Sequence, residues 1–445
     1  MASLIKPLIL IIGPVESCSG YGAHSRDIAR SVVSLYKDTH EILIHSINWG
    51  ISPTTALKSG AYPELTSRII NTQINRQPDI VFYISVPQEF NPIGKLNVGI
   101  TAGTETTVAP SNMREGMNRM HFNIVPSNFN KQVFTETNYM LADKNTNIPT
   151  TMLKLERPLE VLFEGVDTSV YYKIEEKSYN HNILPELDTI PEDFLFLISG
   201  HWLQGELGHD RKDIGMAVKT FLEAFANPPT KPGLLLKVSE GTYSHMDFES
   251  IERKLNFIKS TVPSDTLPNI YLLHGDLTDE QINHIYNHPK VKALYSLTHG
   301  ESWGRPILEF TMSGKPVIVP GFSGQLDFLD KELSVLLPGQ LQDIHPTAVN
   351  EFLVEGSKWF IADYEMAKKY LVDVYMSYSK YKKNATKQGY DNKVHFSLDK
   401  MTAKLKQIMD RYKQDSPEEY ELQIPVKKIT LPTLKPVNTE VSDAR

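Results

Sequence analysis

The sequence predicts an α/β fold made of two successive domains, each a parallel sheet covered by helices. Three observations carry this. Short β-branched runs alternate with segments of helical apolar spacing. The alternation runs through once, lapses, and starts again. The chain has 445 residues, more than one core of roughly 150 residues uses.

Taken in order, Pro7 to Ile12 is an apolar run that breaks at Gly13-Pro14 and reads as a buried first strand. A loop with Ser17, Ser19, Gly20, Tyr21 and Gly22 follows. Ile28, Ala29, Val32, Val33 and Tyr36 then recur at helical spacing. Strands are expected at Glu41 to Ile47, Asp79 to Ser85, Leu96 to Thr101 and Phe122 to Val125, with a helix over Met113 to Met120. Arg157 to Phe163 closes this half. Tyr171 to Asp193 mixes charges with Pro185 and Pro191 and has no period, as a linker would. The second round places strands at Phe194 to Ile198, Leu234 to Val238, Asn269 to Leu273, Val291 to Ser296 and Pro316 to Val319. Helices are expected over Ile214 to Ala226, Phe248 to Ser260, Asp279 to Asn287 and Pro306 to Ser313, and over most of Phe352 to Tyr378. The expected division is 1–170, 190–395, a helix over 396–413 that returns to the first domain, and a peripheral tail over 414–445.

Composition excludes several classes. With 40% hydrophobic and 22% charged residues the chain can fill two cores and is not disordered. A formal charge of −7 argues against a surface that coats nucleic acid throughout. One cysteine, Cys18, excludes a disulfide framework and fits a reducing, cytoplasmic setting. The first apolar run is too short for a signal peptide, and nothing approaches a membrane span. Residues 357–413 hold thirteen Lys/Arg against six Asp/Glu, with Tyr375, Tyr378, Tyr381 and Tyr390 among the lysines.

The stretch richest in chemistry is His299-Gly-Glu-Ser-Trp-Gly-Arg-Pro-Ile-Leu-Glu309, between a strand end and a helix. Gly300 and Gly304 let backbone N–H groups come close to a ligand. The helix start offers unpaired donors and a positive dipole end for phosphate or sugar oxygens. Parallel sheets bind ligands at the carboxyl ends of their strands.

These residues resemble the E-x7-E signature of GT-B glycosyltransferases of the family-4, or group 1, type: seven residues separate Glu301 from Glu309. Gly314-Lys-Pro-Val-Ile-Val319, Ser323-Gly324, Asp210-Arg-Lys-Asp-Ile214, Glu164-Gly-Val-Asp167 and Val125-Pro-Ser127 resemble further motifs of that family, in the same order. The resemblance implies two Rossmann-like domains facing each other across a cleft, and a retaining enzyme that uses a nucleotide sugar such as a UDP- or GDP-sugar. It implies that Arg211 and Lys212 neutralise the donor diphosphate. Glu309 would hold the ribose, and Glu301 with Ser302, Trp303 and Gly304 the donor sugar. Gly20 and Gly22 would approach the donor from the other domain, and His299 would line its pocket. The sequence departs from the pattern at Asp213, where the family has glycine, at His201, where it has arginine, and at Glu164, where it has asparagine. His201 or Lys237 would make up for the missing cation.

Glu105 and Glu89 stand at strand ends of the first domain, so each is placed to orient or deprotonate an acceptor hydroxyl or simply to act as a helix N-terminal acid. Glu105 is taken with Glu301 as a catalytic candidate. No Asp-x-Asp occurs, and fixed cations in place of a metal fit the resemblance. Plainer roles exist for the same residues: Arg211-Lys212 as a solvated helix entry, Gly20 and Gly22 as turn formers, His24, His121 and His299 as ordinary polar residues. Two other readings stand beside the glycan, lipid-linked or small-molecule acceptor. One is a hydroxylated base in viral DNA, with the basic 375–413 segment on DNA or another anionic surface. The other is a catalytically silent sugar- or partner-binding module.

Overall fold

The computed structural model describes residues 6–414 except 59, 73, 143–147, 203, 204, 206 and 228–230. The expected tail therefore lies almost wholly outside the described residues. The first lobe is a parallel sheet of β1 (Leu8–Gly13), β2 (Glu41–Ser46), β3 (Ile80–Ile84), β4 (Leu96–Ile100) and β5 (Phe122–Val125). A short hairpin, β6 (Tyr139–Ala142) with β7 (Pro149–Leu153), precedes its last strand, β8 (Leu159–Val161). The second lobe is a parallel sheet of β9 (Leu195–His201), β10 (Gly233–Ser239), β11 (Ile270–Leu272), β12 (Val291–Tyr295), β13 (Val317–Pro320) and β14 (Val335–Leu337). An antiparallel pair, β15 (Gly339–Asp343) with β16 (Lys358–Ala362), follows.

The two sheets are wound alike. The second runs β11-β10-β9-β12-β13-β14, reversing direction beside its first strand, β9. The first runs β2-β1-β3-β4-β5-β8, and an isolated parallel bridge from Ile44 to Ile69 stands outside β2 where a further strand would lie. β1 is buried along its whole length, as expected of a central strand covered on both faces, which is why it reads as an unbroken apolar run. The crevice beside β1 in one sheet, and beside β9 in the other, is where such sheets hold ligands.

The last helix, Leu398–Gln414, crosses back to the first lobe. Met401, Leu405, Ile408 and Met409 are buried in the first-lobe core, and the Tyr412 ring stacks on Phe122 with centroids 3.9 Å apart. The two chain crossings between lobes are themselves paired. Val166 N donates to Phe396 O and Leu398 N to Val166 O, both at 2.8 Å. Phe163, Trp303, Phe328 and Phe396 pack around this junction.

Three expectations need correction. Residues 171–193 are no free linker: Leu184, Leu187 and Ile190 are buried in the second-lobe core. The span 352–378 is not mostly helical at its start, because β16 occupies Lys358–Ala362 before the helix Tyr364–Met376 begins. Tyr375 and Tyr378 pack edge-on against Phe194, and Tyr381 joins the same core, so three of the four tyrosines of the basic segment serve packing rather than an exposed stacking face. Tyr390 is exposed. Among the described residues, no helix is long and apolar enough to cross a membrane.

Candidate active site

β12 ends at Tyr295; the loop that follows carries Glu301, and the helix Arg305–Thr311 after it carries Glu309. The path of the loop is fixed by close approaches. A Cβ on Gly300 would lie 2.1 Å from Glu105 O of the first lobe, so only glycine allows the lobes to meet there. Gly304 has φ 97° and starts the helix. Ser323, with φ 71°, turns its Oγ to accept the Glu301 N–H at 2.8 Å.

Arg211 and Lys212 lie on the turn before the helix Ile214–Ala224. Asp213 ends that turn with φ 48°, in the left-handed region. This explains the glycine expected there: the position needs a residue that tolerates positive φ, and aspartate is among the few that do. Asp213 is fully buried, accepts from Tyr364 Oη at 2.8 Å, and burial pushes its carboxyl well above the usual range.

The turn meets the glutamate loop directly. Lys212 Nζ donates to Glu301 Oε1. Arg211 Nη1 stands 3.2 Å from Glu105 Oε1 across the lobes, an ion pair that is not a hydrogen bond, and this buried nitrogen has no hydrogen-bond acceptor. Burial works to raise the Glu301 carboxyl, but Lys212 and Arg211 outweigh it and hold it below its ordinary value. Burial pushes the Lys212 ammonium down, with Arg211 adding to the effect and Glu301 opposing. Burial, then Lys212, Arg211 and Lys237, push His201 down to about 4, so it is neutral at pH 7 and adds no cation. Lys237 is buried over the Tyr243 ring at 4.6 Å, and burial pushes it down to about 8.

Glu309 is in a different setting. Its carboxyl stands 2.9 Å from Arg305 Nε as an ion pair, and Arg305 Nη1 donates to Asp27 Oδ2 of the first lobe at 2.6 Å. Glu164 adds to this group, 3.8 Å from Arg305 and 3.9 Å from His24. Burial pushes the Glu309 carboxyl up to about 8, with Arg305 opposing. Asp27 and Arg305 thus join the lobes beneath the loop, a role that spacing along the chain does not reveal. The unusual Glu164 was the one visible signal.

The structure therefore brings Arg211, Lys212, Glu301, Ser302 and Glu105 together. Both glycines lie in the first turn of the helix Gly20–Tyr36: Gly22 lets the loop pack on it, because a Cβ there would lie 2.1 Å from Ser17 O, whereas Gly20 faces open space. His299 does not line the cleft: its ring is fully buried, with Nδ1 3.0 Å from Phe360 O and Nε2 3.2 Å from Gly208 O. The Trp303 ring likewise packs into the junction between lobes rather than facing the cleft. Glu89 is exposed and held by Ser85 Oγ. Glu105 lines the cavity between the lobes, together with Tyr21, Arg211 and Ser302.

Away from the cleft, His181, Asp188 and His288 form a cluster with metal-like spacing. His288 Nδ1 accepts from Lys290 N at 3.2 Å, so its Nε2 carries the proton and donates to Asp188 at 3.2 Å. A protonated nitrogen is not a metal ligand, and the cluster reads as a hydrogen-bonded support.

The sequence matches no protein-family model and no curated protein. Its fold is similar to that of a glycosyltransferase from Rickettsia africae ESF-5, with TM-score 0.61 and 14% identity over 92% of this chain and 99% of that one. It is also similar to Anabaena HepE in complex with UDP-glucose (TM-score 0.60, 12% identity, 91% and 99% covered). Sucrose-phosphate synthase from Thermosynechococcus elongatus is a third (TM-score 0.57, 11% identity, 92% and 100% covered). The fold is GT-B. In a GT-B chain the two first-strand crevices face each other, and here they do so across Glu105 and Arg211.

Proposed function

We propose that this GT-B protein transfers a sugar from a nucleotide-sugar donor, a UDP- or GDP-sugar, to a hydroxyl acceptor. It does so with retention at the anomeric carbon and without a metal ion. One observation carries the reading: two adjacent cations, Arg211 and Lys212, are held half-buried beside a helix start and face carboxylates from both lobes. HepE, solved with UDP-glucose, supports the choice of donor class.

The chemistry follows from the charges. As the bond from sugar C1 to the diphosphate breaks, negative charge collects on the leaving oxygens and the sugar becomes oxocarbenium-like. Arg211 and Lys212 take up that charge by exchanging their carboxylate partners for phosphate oxygens. Glu301, kept ionised by the same cations, holds the sugar hydroxyls. Glu105 orients the acceptor hydroxyl. The new bond forms from the acceptor oxygen to C1 on the face the diphosphate leaves, and the hydroxyl proton passes to a diphosphate oxygen.

Thermal-shift screening against a panel of nucleotide sugars tests this, since a ligand bound to the folded state raises Tm. We expect one donor to raise Tm and to release its nucleoside diphosphate in EDTA, with product NMR showing the donor's anomeric configuration. A panel that leaves Tm unmoved overturns the reading.

A further inference from the structure

Resting on that reading, we infer that the acceptor is an uncharged sugar ring, held in the cavity between the lobes and selected by the β15–β16 hairpin. The cavity encloses about 620 Å³. Trp49, Val86 and Met113 of the first lobe line one side, and Val349, Phe352 and Leu353 of the hairpin loop line the other. It reaches Arg211 and Ser302 at its inner end, where an acceptor hydroxyl would meet the donor.

The hairpin wall is built, not incidental. Ile344, Leu353 and Trp359 are buried together in a small core of their own. His345 stacks on His209 with centroids 3.9 Å apart. Lys358 and Thr107 exchange hydrogen bonds between the lobes: Thr107 N to Lys358 O at 3.0 Å and Lys358 N to Thr107 Oγ1 at 2.9 Å. The loop is thereby fixed against the first lobe, over a site that both sheets open onto.

The charges of the cavity select for neutrality. Among the described lining residues Arg211 is the sole lysine or arginine, and it already faces Glu105. The other acid of the lining, Glu240, is held by Lys254 at 2.7 Å and by Ser250 at 2.8 Å. A phosphate or carboxylate on the acceptor would have to compete with the donor for Arg211, the one histidine of the described lining, His209, being stacked on His345, and buried unpaired charge is costly. The aromatic side then selects for a ring. Trp49 stacks on Tyr21 with centroids 4.0 Å apart, and Tyr21 is itself fixed through its hydroxyl to Thr101 at 2.9 Å and Ala102 N at 3.0 Å. A rigid aromatic face beside carboxylates and amides suits a molecule with one apolar C–H face and a rim of hydroxyls.

The test uses saturation-transfer NMR on the full chain with UDP present. The probes are methyl glucoside and cellobiose, a hexose phosphate, phenol, and a short DNA duplex. The neutral sugars are expected to bind, and the hexose phosphate about tenfold more weakly. Trp49→Ala and Phe352→Ala, at half-exposed positions, are each expected to weaken sugar binding by about tenfold, with the Tm rise on adding UDP as the check on folding. Tighter binding of the phosphate, phenol or duplex than of the sugars overturns the inference. So does wild-type-like sugar binding by both variants, or absence of sugar binding while UDP still raises Tm. Absence of a Tm rise with both UDP and GDP in the wild-type chain overturns the parent reading instead, and this inference with it; a chain that answers only to GDP is tested with GDP in place of UDP.

Discussion

The two lobes repeat one winding and differ at the first turn after their leading strand. After β1 the chain finishes itself: Ser19 Oγ accepts from Gly22 N at 3.1 Å to cap the helix Gly20–Tyr36. Arg26 points back to Val15 O and Ser17 O at 3.0 and 2.7 Å. After β9 the helix Ile214–Ala224 takes no cap from its entry residue Asp213, which has φ 48°; its first N–H donates to Asp210 Oδ2 at 3.3 Å, and two cations lead into it. One turn is satisfied from within, by the Ser19 hydroxyl and by a guanidinium, Arg26, spent on backbone carbonyls. The other stores positive charge whose partners, Glu301 and Glu105, come from elsewhere in the chain. The lesson is that strand order places a crevice in each lobe alike, while side-chain chemistry at the turn makes the two crevices different in charge.

The comparison is sharpest at Lys212. Its replacement by alanine is expected to lower donor turnover by about 10²–10³-fold, read as release of nucleoside diphosphate. Turnover at the wild-type level would erase the distinction between the turns. Next is Gly300→Ala, whose added Cβ falls 2.1 Å from Glu105 O. Relieving that contact should cost about 1–3 kcal/mol in urea unfolding and enlarge the radius of gyration as the lobes part. A variant as stable and compact as the parent would show that the loop yields without cost.

On the self-finished side, Ser19→Ala should cost about 1 kcal/mol of stability, while turnover per folded molecule stays unchanged. A large fall in turnover would mean that the first turn also handles the donor. The smallest effect concerns His201, pushed down to about 4 from an ordinary value near 6.5. The unfolded chain binds this proton first as pH falls, so the group's contribution to stability is intact above 6.5 and is lost between 6.5 and 4. Melting curves of His201→Gln should lose part of that acid-side slope. An unaltered slope would mean that neither burial nor the cations beside it hold His201 down.

Much of the second lobe was legible because a motif after a strand end fixes where its residues stand. Arg211, Lys212 and Glu301 meet for that reason, and Asp213 sits where the backbone demands positive φ. What stayed hidden depends on distance along the chain. Asp27 and Arg305 are 278 residues apart, and no local pattern pairs them. The hairpin was lost because β16 is five residues long and abuts a genuine helix, whose period dominates the window. His299 and Trp303 belong to the motif, yet their rings turn inward, since sequence spacing gives the backbone position but not the side on which a ring finds its partners. The tyrosines of the basic segment were open to two roles, and Phe194 claims Tyr375 and Tyr378.

The paired crossings at Val166 and Phe396 to Leu398 have a mechanical consequence. Two covalent strands zipped side by side act as a door hinge rather than a tether. The lobes can swing about one axis but cannot shear or twist freely. An opening about this hinge would break the Asp27–Arg305, Glu105–Arg211 and Thr107–Lys358 links as one angular motion, and the cleft should behave as a latch with two settings.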